Sequence, residues 1–238
     1  MAENTLHKTN DPAQLLSALE YEYRGTIDGR KWRLIACACC RVVWHTLTDS
    51  RNRKAVELLE LFADDANDNT HFTQAVAENT AAENMDIREL NSGWGTVKCA
   101  TFTNAIKAAK YTCEHAHFVI TRYPPEQRYF PETILRPKIG GLSPKNANEI
   151  LSNVIRDIVG YFFRNEKIDD TVITPTVRQL ARSIYQDRTF DHMPILGDAL
   201  EEAGCDNENI LTHCHANQTH FRGCWVLDLI LTKVGFGN

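Results

Sequence analysis

Three times in this chain a capping residue stands directly before a proline: Asp11-Pro12, Ser143-Pro144 and Thr174-Pro175. The first residue can accept from the free N–H groups of an opening helical turn. The second has a φ suited to that turn and lacks an N–H that the turn would leave unused. Apolar residues follow each pair at helical spacing: Leu15, Leu16 and Leu19; Ile150, Val154 and Ile158; Val177, Leu180, Ala181 and Ile184. Residues 31–47 read as a helix that is apolar on most sides (Trp32, Leu34, Ile35, Cys37, Val42, Val43, Trp44), which places it at the centre of the fold. Further helices are expected over 53–63, 72–85, 97–120 and 193–203, with a last, apolar one over 225–234. No segment shows convincing period-2 alternation and no hairpin dipeptide occurs. The expected fold is all-α: one bundle-like domain over residues 1–238, of about eight to ten helices.

The interruption is the segment 122–143, which gathers Pro124, Pro125, Pro131 and Pro137 with Gly140-Gly141. A loop of this length is uncommon in a compact domain and is usually functional or a linker. Its basic and aromatic residues interleave, with Arg122, Tyr123, Arg128, Tyr129, Phe130 and Arg136 forming a candidate partner-binding surface. The alternative is an ordered strap packed over the core by the same aromatics.

Charge narrows the partners. A net charge of −5 argues against general nucleic-acid binding, which needs a clustered excess of Lys and Arg. No apolar run approaches the length of a membrane span, and the N-terminal segment has no hydrophobic signal region. A cytoplasmic protein with reduced thiols is therefore expected. The charges themselves are blocked. Residues 24–54 hold eight Lys/Arg against two acids, residues 55–90 nine acids against one Arg, and residues 191–208 six acids and no Lys or Arg. Mutual neutralisation of solvated faces is the plain reading; an acidic surface that steers a basic partner is the sharper one.

The eight cysteines set the chemical question. Cys37 and Cys40 are three apart on one helix face, and His220 and Cys224 are four apart and would share a face if the last helix begins early enough. Together they would make a Cys3His zinc site. Only one Cys-x2-Cys pair occurs and it lies inside a helix, so buried packing thiols are the competing and favoured explanation. Asp228 stands in the apolar run Trp225-Val-Leu-Asp-Leu-Ile-Leu231, where a carboxylate must be paired or protonated. Arg41 is the expected partner, in a structural ion pair joining the Cys37–Arg41 helix and the Cys224–Asp228 helix as two halves of one core. Glu114 and His117 form one Glu-x-x-His step, but a di-iron site needs two, and no second occurs. Phosphate-binding glycine loops, nucleophile elbows and His-Glu-x-x-His are absent.

Four strings carry a resemblance. They are Arg33-Leu-Ile-Ala-Cys-Ala-Cys-Cys-Arg41 with Trp44-His45; Asp49-Ser-Arg-Asn-Arg53 with Ala55-Val-Glu57; Thr174-Pro-Thr-Val177 with Ala181-Arg-Ser-Ile-Tyr185; and Phe190 to Cys205 continuing to His220-Phe-Arg-Gly-Cys-Trp-Val-Leu-Asp228. Together they resemble an all-helical module abundant in planctomycete proteins, often associated with repeat-companion domains and carrying no established activity. The resemblance covers the first and last thirds of the chain and implies a bacterial, cytosolic setting with the two end segments docked together.

The expected role is that of a non-catalytic protein-binding or regulatory protein without a cofactor, engaging another protein in a bacterial defence or toxin-immunity context. The alternative is a small zinc-binding sensor or enzyme that uses the N- and C-terminal Cys/His segments.

Overall fold

The computed structural model describes residues 9–25, 27–83, 92–122, 143–160 and 166–232 of the 238. Among them are eleven α-helices and no strand, so the chain is all-α. The cap–proline signals open helices where expected. Asp11 accepts from Ala13 N–H and Gln14 N–H to start α1 (Pro12–Tyr21), Asn146 N–H donates to Ser143 Oγ at the start of α7 (Pro144–Val159), and Thr174 Oγ1 accepts from Val177 N–H to start α8 (Pro175–Asp187). The remaining helices are α2 (Gly29–Val42), α3 (Ser50–Asp64), α4 (Asn69–Glu83), α5 (Ser92–Ala100), α6 (Ala105–Arg122), α9 (Met193–Glu202), α10 (Glu208–His215) and α11 (Trp225–Ile230). No helix among the described residues is long and apolar enough to cross a membrane.

Where the sequence suggests one domain, contacts divide the chain into two compact units, Met1–Ile155 and Arg156–Asn238. The helix α7 runs through the division, its last turn belonging to the second unit. Each unit has an apolar cluster of its own, which is what allows a chain of this length to organise as two bodies.

The first unit is built around α2, whose residues from Lys31 through Cys40 are all buried. It packs against α3, α5 and α6, which is why a helix apolar nearly all round is stable there. Its Ala36, Cys37 and Cys40 join Val56 and Leu59 of α3, Ala75 of α4, Val97 of α5 and Ala108 of α6 in one cluster. Two cations of the basic block pair with acids of the acidic block. Arg30 pairs with Asp64, and Arg41 forks Glu60 through Nε and Nη2, both at 2.9 Å, with its guanidinium 4.0 Å from the Trp44 ring centroid. Arg41, for which the sequence suggested Asp228, pairs with Glu60. Glu60 lies on α3, which packs against α2.

The helix expected over 97–120 is two, α5 and α6, broken at Thr101–Asn104. Arg33 accounts for the break. From the buried face of α2 its guanidinium donates to the carbonyls of Ala100 and Phe102, each at 2.6 Å, and of Thr103 at 3.0 Å. Those carbonyls are held away from a continuing helical ladder, and Asn104 restarts it by accepting from Lys107 N–H. The helix expected over 31–47 ends at Val42, followed by a single 3₁₀ turn over Trp44–Thr46.

In the second unit α8, α9, α10 and α11 enclose Val177, Ile184, Tyr185, Met193, Leu196, Leu200, Ile210, Trp225 and Leu227. The helix α10 has no counterpart among the helices expected from sequence. Its signal was present: Asn207 caps Asn209 N–H and Ile210 N–H, Glu208 occupies the first turn, and Ile210 and Cys214 repeat at i, i+4. The last helix runs only from Trp225 to Ile230, with Thr232 in the left-handed region at φ 52°.

Arg33 generates a direct test. Arg33→Met keeps the stem but leaves three carbonyls without their donor, so guanidinium-chloride unfolding should show a loss of about 3 kcal/mol. A loss below about 0.5 kcal/mol, within the range of ordinary surface substitutions, would mean the cap contributes nothing.

Candidate metal centre

Four side chains of the second unit turn donor atoms to one point: Asp157, His213, His220 and Cys224. Each is delivered differently. Asp157 lies in the last turn of α7, which stops at Gly160 with φ +66°, a conformation L side chains avoid; a Cβ there would also run into the Trp225 side chain. His213 lies on α10, three residues after the core residue Ile210. His220 lies in the connection to α11, and Cys224 is the residue that precedes that helix. The turn between them closes through Cys224 N–H donating to the carbonyl of Phe221, with Gly223 at φ +93°. His220 and Cys224 therefore meet through a turn rather than along a shared helix face, because α11 begins only at Trp225, after both of them.

The donor atoms all lie within 4.8 Å of one another. Asp157 Oδ1 is 2.6 Å from His220 Nδ1 and 3.3 Å from His213 Nε2. Cys224 Sγ is 3.1 Å from His213 Nε2 and 3.9 Å from His220 Nδ1. Around a tetrahedral zinc ion, with bonds of about 2.0–2.1 Å to N and O and about 2.3 Å to S, such edges measure roughly 3.3–3.6 Å. Each of the four edges given above lies within about 0.7 Å of that range. The other oxygen of Asp157 accepts from Phe221 N–H at 2.8 Å, which fixes the carboxylate and leaves Oδ1 facing the cluster.

The alternative chemistry for Cys, His and Asp is a nucleophilic triad, in which the imidazole bridges thiol and carboxylate through opposite ring nitrogens. Here each histidine turns one and the same nitrogen toward both Asp157 and Cys224. That is convergence on a centre, not a relay. Burial points the same way, since all four residues are buried and the side chains of Asp157 and His220 are 0% and 2% exposed.

Electrostatics match that setting. Burial pushes the Asp157 carboxyl up, but hydrogen bonds from His213 and His220 and their charge outweigh it and bring its pKa down to about 2. Burial lowers the His213 pKa against the pull of Asp157, so an ionised carboxylate faces a neutral imidazole. Burial, and then the Asp157 charge, raise the Cys224 thiol well above its ordinary range; the N–H groups of Leu227 and Val226 pull the other way. His220 Nε2 is buried without a hydrogen-bond partner among the described residues, so the Nδ1 edge carries all of that ring's polar contacts.

Of the zinc set expected from sequence, His220 and Cys224 are brought together, and Asp157 and His213 complete the group. Cys37 and Cys40 instead belong to the core cluster of the first unit, where burial holds Cys40 protonated. Asp228 is buried in α11 with its N–H donating to the Cys224 carbonyl. Tyr123, Arg128, Tyr129, Phe130 and Arg136 lie outside the described residues, and Arg122 is the last residue of α6. Asp157 and His213 were missed although each carried a signal. Asp157 sits three residues after Val154 and beside Ile158, on the apolar stripe of its helix, and His213 beside Cys214 on the apolar side of α10. A second group, Asp198, Glu201 and His215, is exposed, with His215 Nε2 3.9 and 3.7 Å from the two carboxylates.

The closed geometry makes thiol chemistry its own test. Cys99 and Cys205, both partly exposed, should react first with an aromatic disulfide reagent at neutral pH, and Cys224 only after unfolding. Labelling of Cys224 in the folded protein at the rate of Cys205 would show an open site. Comparison of the chain with family models, with curated proteins and with solved structures finds no match.

Proposed function

We propose that the second unit is a zinc-binding unit, with Asp157 Oδ1, His213 Nε2, His220 Nδ1 and Cys224 Sγ as its ligands. The observation that carries this reading is the convergence of four different donors on one buried point. Carboxylate and thiolate together supply two negative charges, so a divalent ion with these ligands leaves no net charge in the interior. A mixed S, N, N, O set in tetrahedral arrangement suits zinc better than calcium or magnesium, which take oxygen ligands in larger number.

Four protein ligands leave no position for water or substrate, so the role of the metal is structural and the unit is non-catalytic. The need for such a staple is plain in the fold. A unit of about 80 residues builds a core of limited worth, and metals commonly make up the difference in domains near that size. The ligands tie the end of α7, α10 and the start of α11, and α11 is only Trp225–Ile230.

A binding role for the same unit is favoured by its surface. All six acids of the block 191–208 (Asp191, Asp198, Glu201, Glu202, Asp206 and Glu208) are exposed, with the exposed Ile195 among them. The partner this face fits is a basic protein segment.

Protein purified without chelator should contain one zinc per chain by elemental analysis, and stripping it with a strong chelator should lower the midpoint of thermal unfolding. Cys224→Ser and His220→Ala should each lower zinc content below about a tenth, whereas Cys37→Ser and Cys40→Ser should keep it. Zinc-free protein that fails to take up the metal when it is added back would overturn the reading. For the acidic face, a lysine-rich peptide should bind with an affinity that falls with salt. Asp198→Asn with Glu201→Gln and Glu202→Gln should weaken that binding at least tenfold, and an unchanged affinity would remove the face as its site.

A further inference from the structure

The second nitrogen of His213 decides how the site can change state. An indole N–H only donates. Trp225 Nε1 lies 3.0 Å from His213 Nδ1, so Nδ1 presents its lone pair there. In the neutral ring the proton is then on Nε2, the nitrogen that faces Asp157 Oδ1 and Cys224 Sγ. A metal bound at Nε2 needs that lone pair, which sends the proton to Nδ1. Two N–H groups would then meet head-on at Nδ1, so the Trp225 hydrogen bond and the metal–His213 bond exclude each other.

The replacement partner is already in place. The side-chain amide of Gln218 lies 3.2 Å from the same Nδ1. Turned over, that amide presents its carbonyl oxygen, the acceptor that a metal-ligating histidine needs on its far nitrogen. The indole and the amide thus compete for one atom and favour opposite tautomers. Trp225 is held in place independently of this bond: its ring packs into the second unit's core and against Gly160. It can therefore lose one hydrogen bond without losing its position.

We infer that zinc binding at this centre is coupled to a hydrogen-bond exchange on His213, in which Trp225 is released and Gln218 takes its place. The inference rests on the zinc reading given above. Trp225 and Gln218 touch no metal; they are positioning residues that set the affinity of the site in opposite directions. Trp225 holds the metal-free cluster in the tautomer that cannot ligate, and Gln218 supports the one that can.

The test is the zinc affinity of the full chain, measured by competition with a chelating indicator for wild type, Trp225→Phe and Gln218→Leu. Removing the indole N–H should tighten binding about three- to tenfold, and removing the amide should weaken it by a similar factor, the worth of one hydrogen bond. Opposite signs are what a merely structural role would not produce. A folded Trp225→Phe chain that binds zinc no more tightly than wild type overturns the exchange, as does a Gln218→Leu chain that binds equally well. Should Trp225→Phe not fold, the assigned indole N–H resonance of Trp225 in wild type decides. It should move upfield as zinc is added, and a stationary signal in a chain that takes up one zinc overturns the exchange while sparing the metal site. A wild-type chain that takes up no zinc overturns the metal site itself, and the exchange with it.

Discussion

The carboxylate of Asp157 is where the second unit is joined. One oxygen meets His220 and His213, and the other takes the amide of Phe221, so a single buried group reaches the end of α7, the helix α10 and the loop before α11. A buried carboxylate is costly unless it is fully hydrogen-bonded. The geometry that satisfies it therefore constrains everything around it. The turn at Phe221–Cys224 must close, α10 must end near α7, and Trp225 must fit over Gly160, where a Cβ has no room. The same three segments supply the other donors of the cluster. The convergence of their atoms follows from satisfying Asp157.

The first unit is organised on a different principle. Its centre is a helix buried along ten consecutive residues, and two arginines on that helix do what the apolar side chains cannot. Arg33 gathers the carbonyls at the end of α5, and Arg41 is neutralised by Glu60. Guanidinium suits both tasks because it presents several N–H groups in a fixed plane. Cys37 and Cys40 behave as small apolar residues in a cluster of alanine, valine and leucine, which separates them chemically from Cys224 although all three are fully buried.

How much of this was legible in the chain differs by element. Asp11, Ser143 and Thr174 announced their helices because a cap and the proline after it act within one turn. The burial of α2 was legible for the same kind of reason, as an apolar pattern on most of its sides. The break at Thr101–Asn104 was not, since the group that stabilises it is Arg33, about seventy positions away. The candidate metal centre was half legible. His220 and Cys224 are close in sequence, but nothing local marks their companions, and thiol chemistry alone points to Cys37 and Cys40. Asp157 was passed over although it breaks an apolar stripe in the way that drew attention to Asp228.

What the sequence by itself determined is the helical class, most helix starts and the chemical types available for a site. These depend on capping, proline geometry and periodicity, which are local. Tertiary structure decided which groups met. It divided the chain into two units, gave Arg41 to Glu60, and set Asp157 against His220, 63 positions apart. It also placed Trp225 and Gln218 on one nitrogen of His213. Such pairings are fixed by the packing of whole helices and the need to satisfy buried polar atoms, and neither acts over the span of a sequence motif.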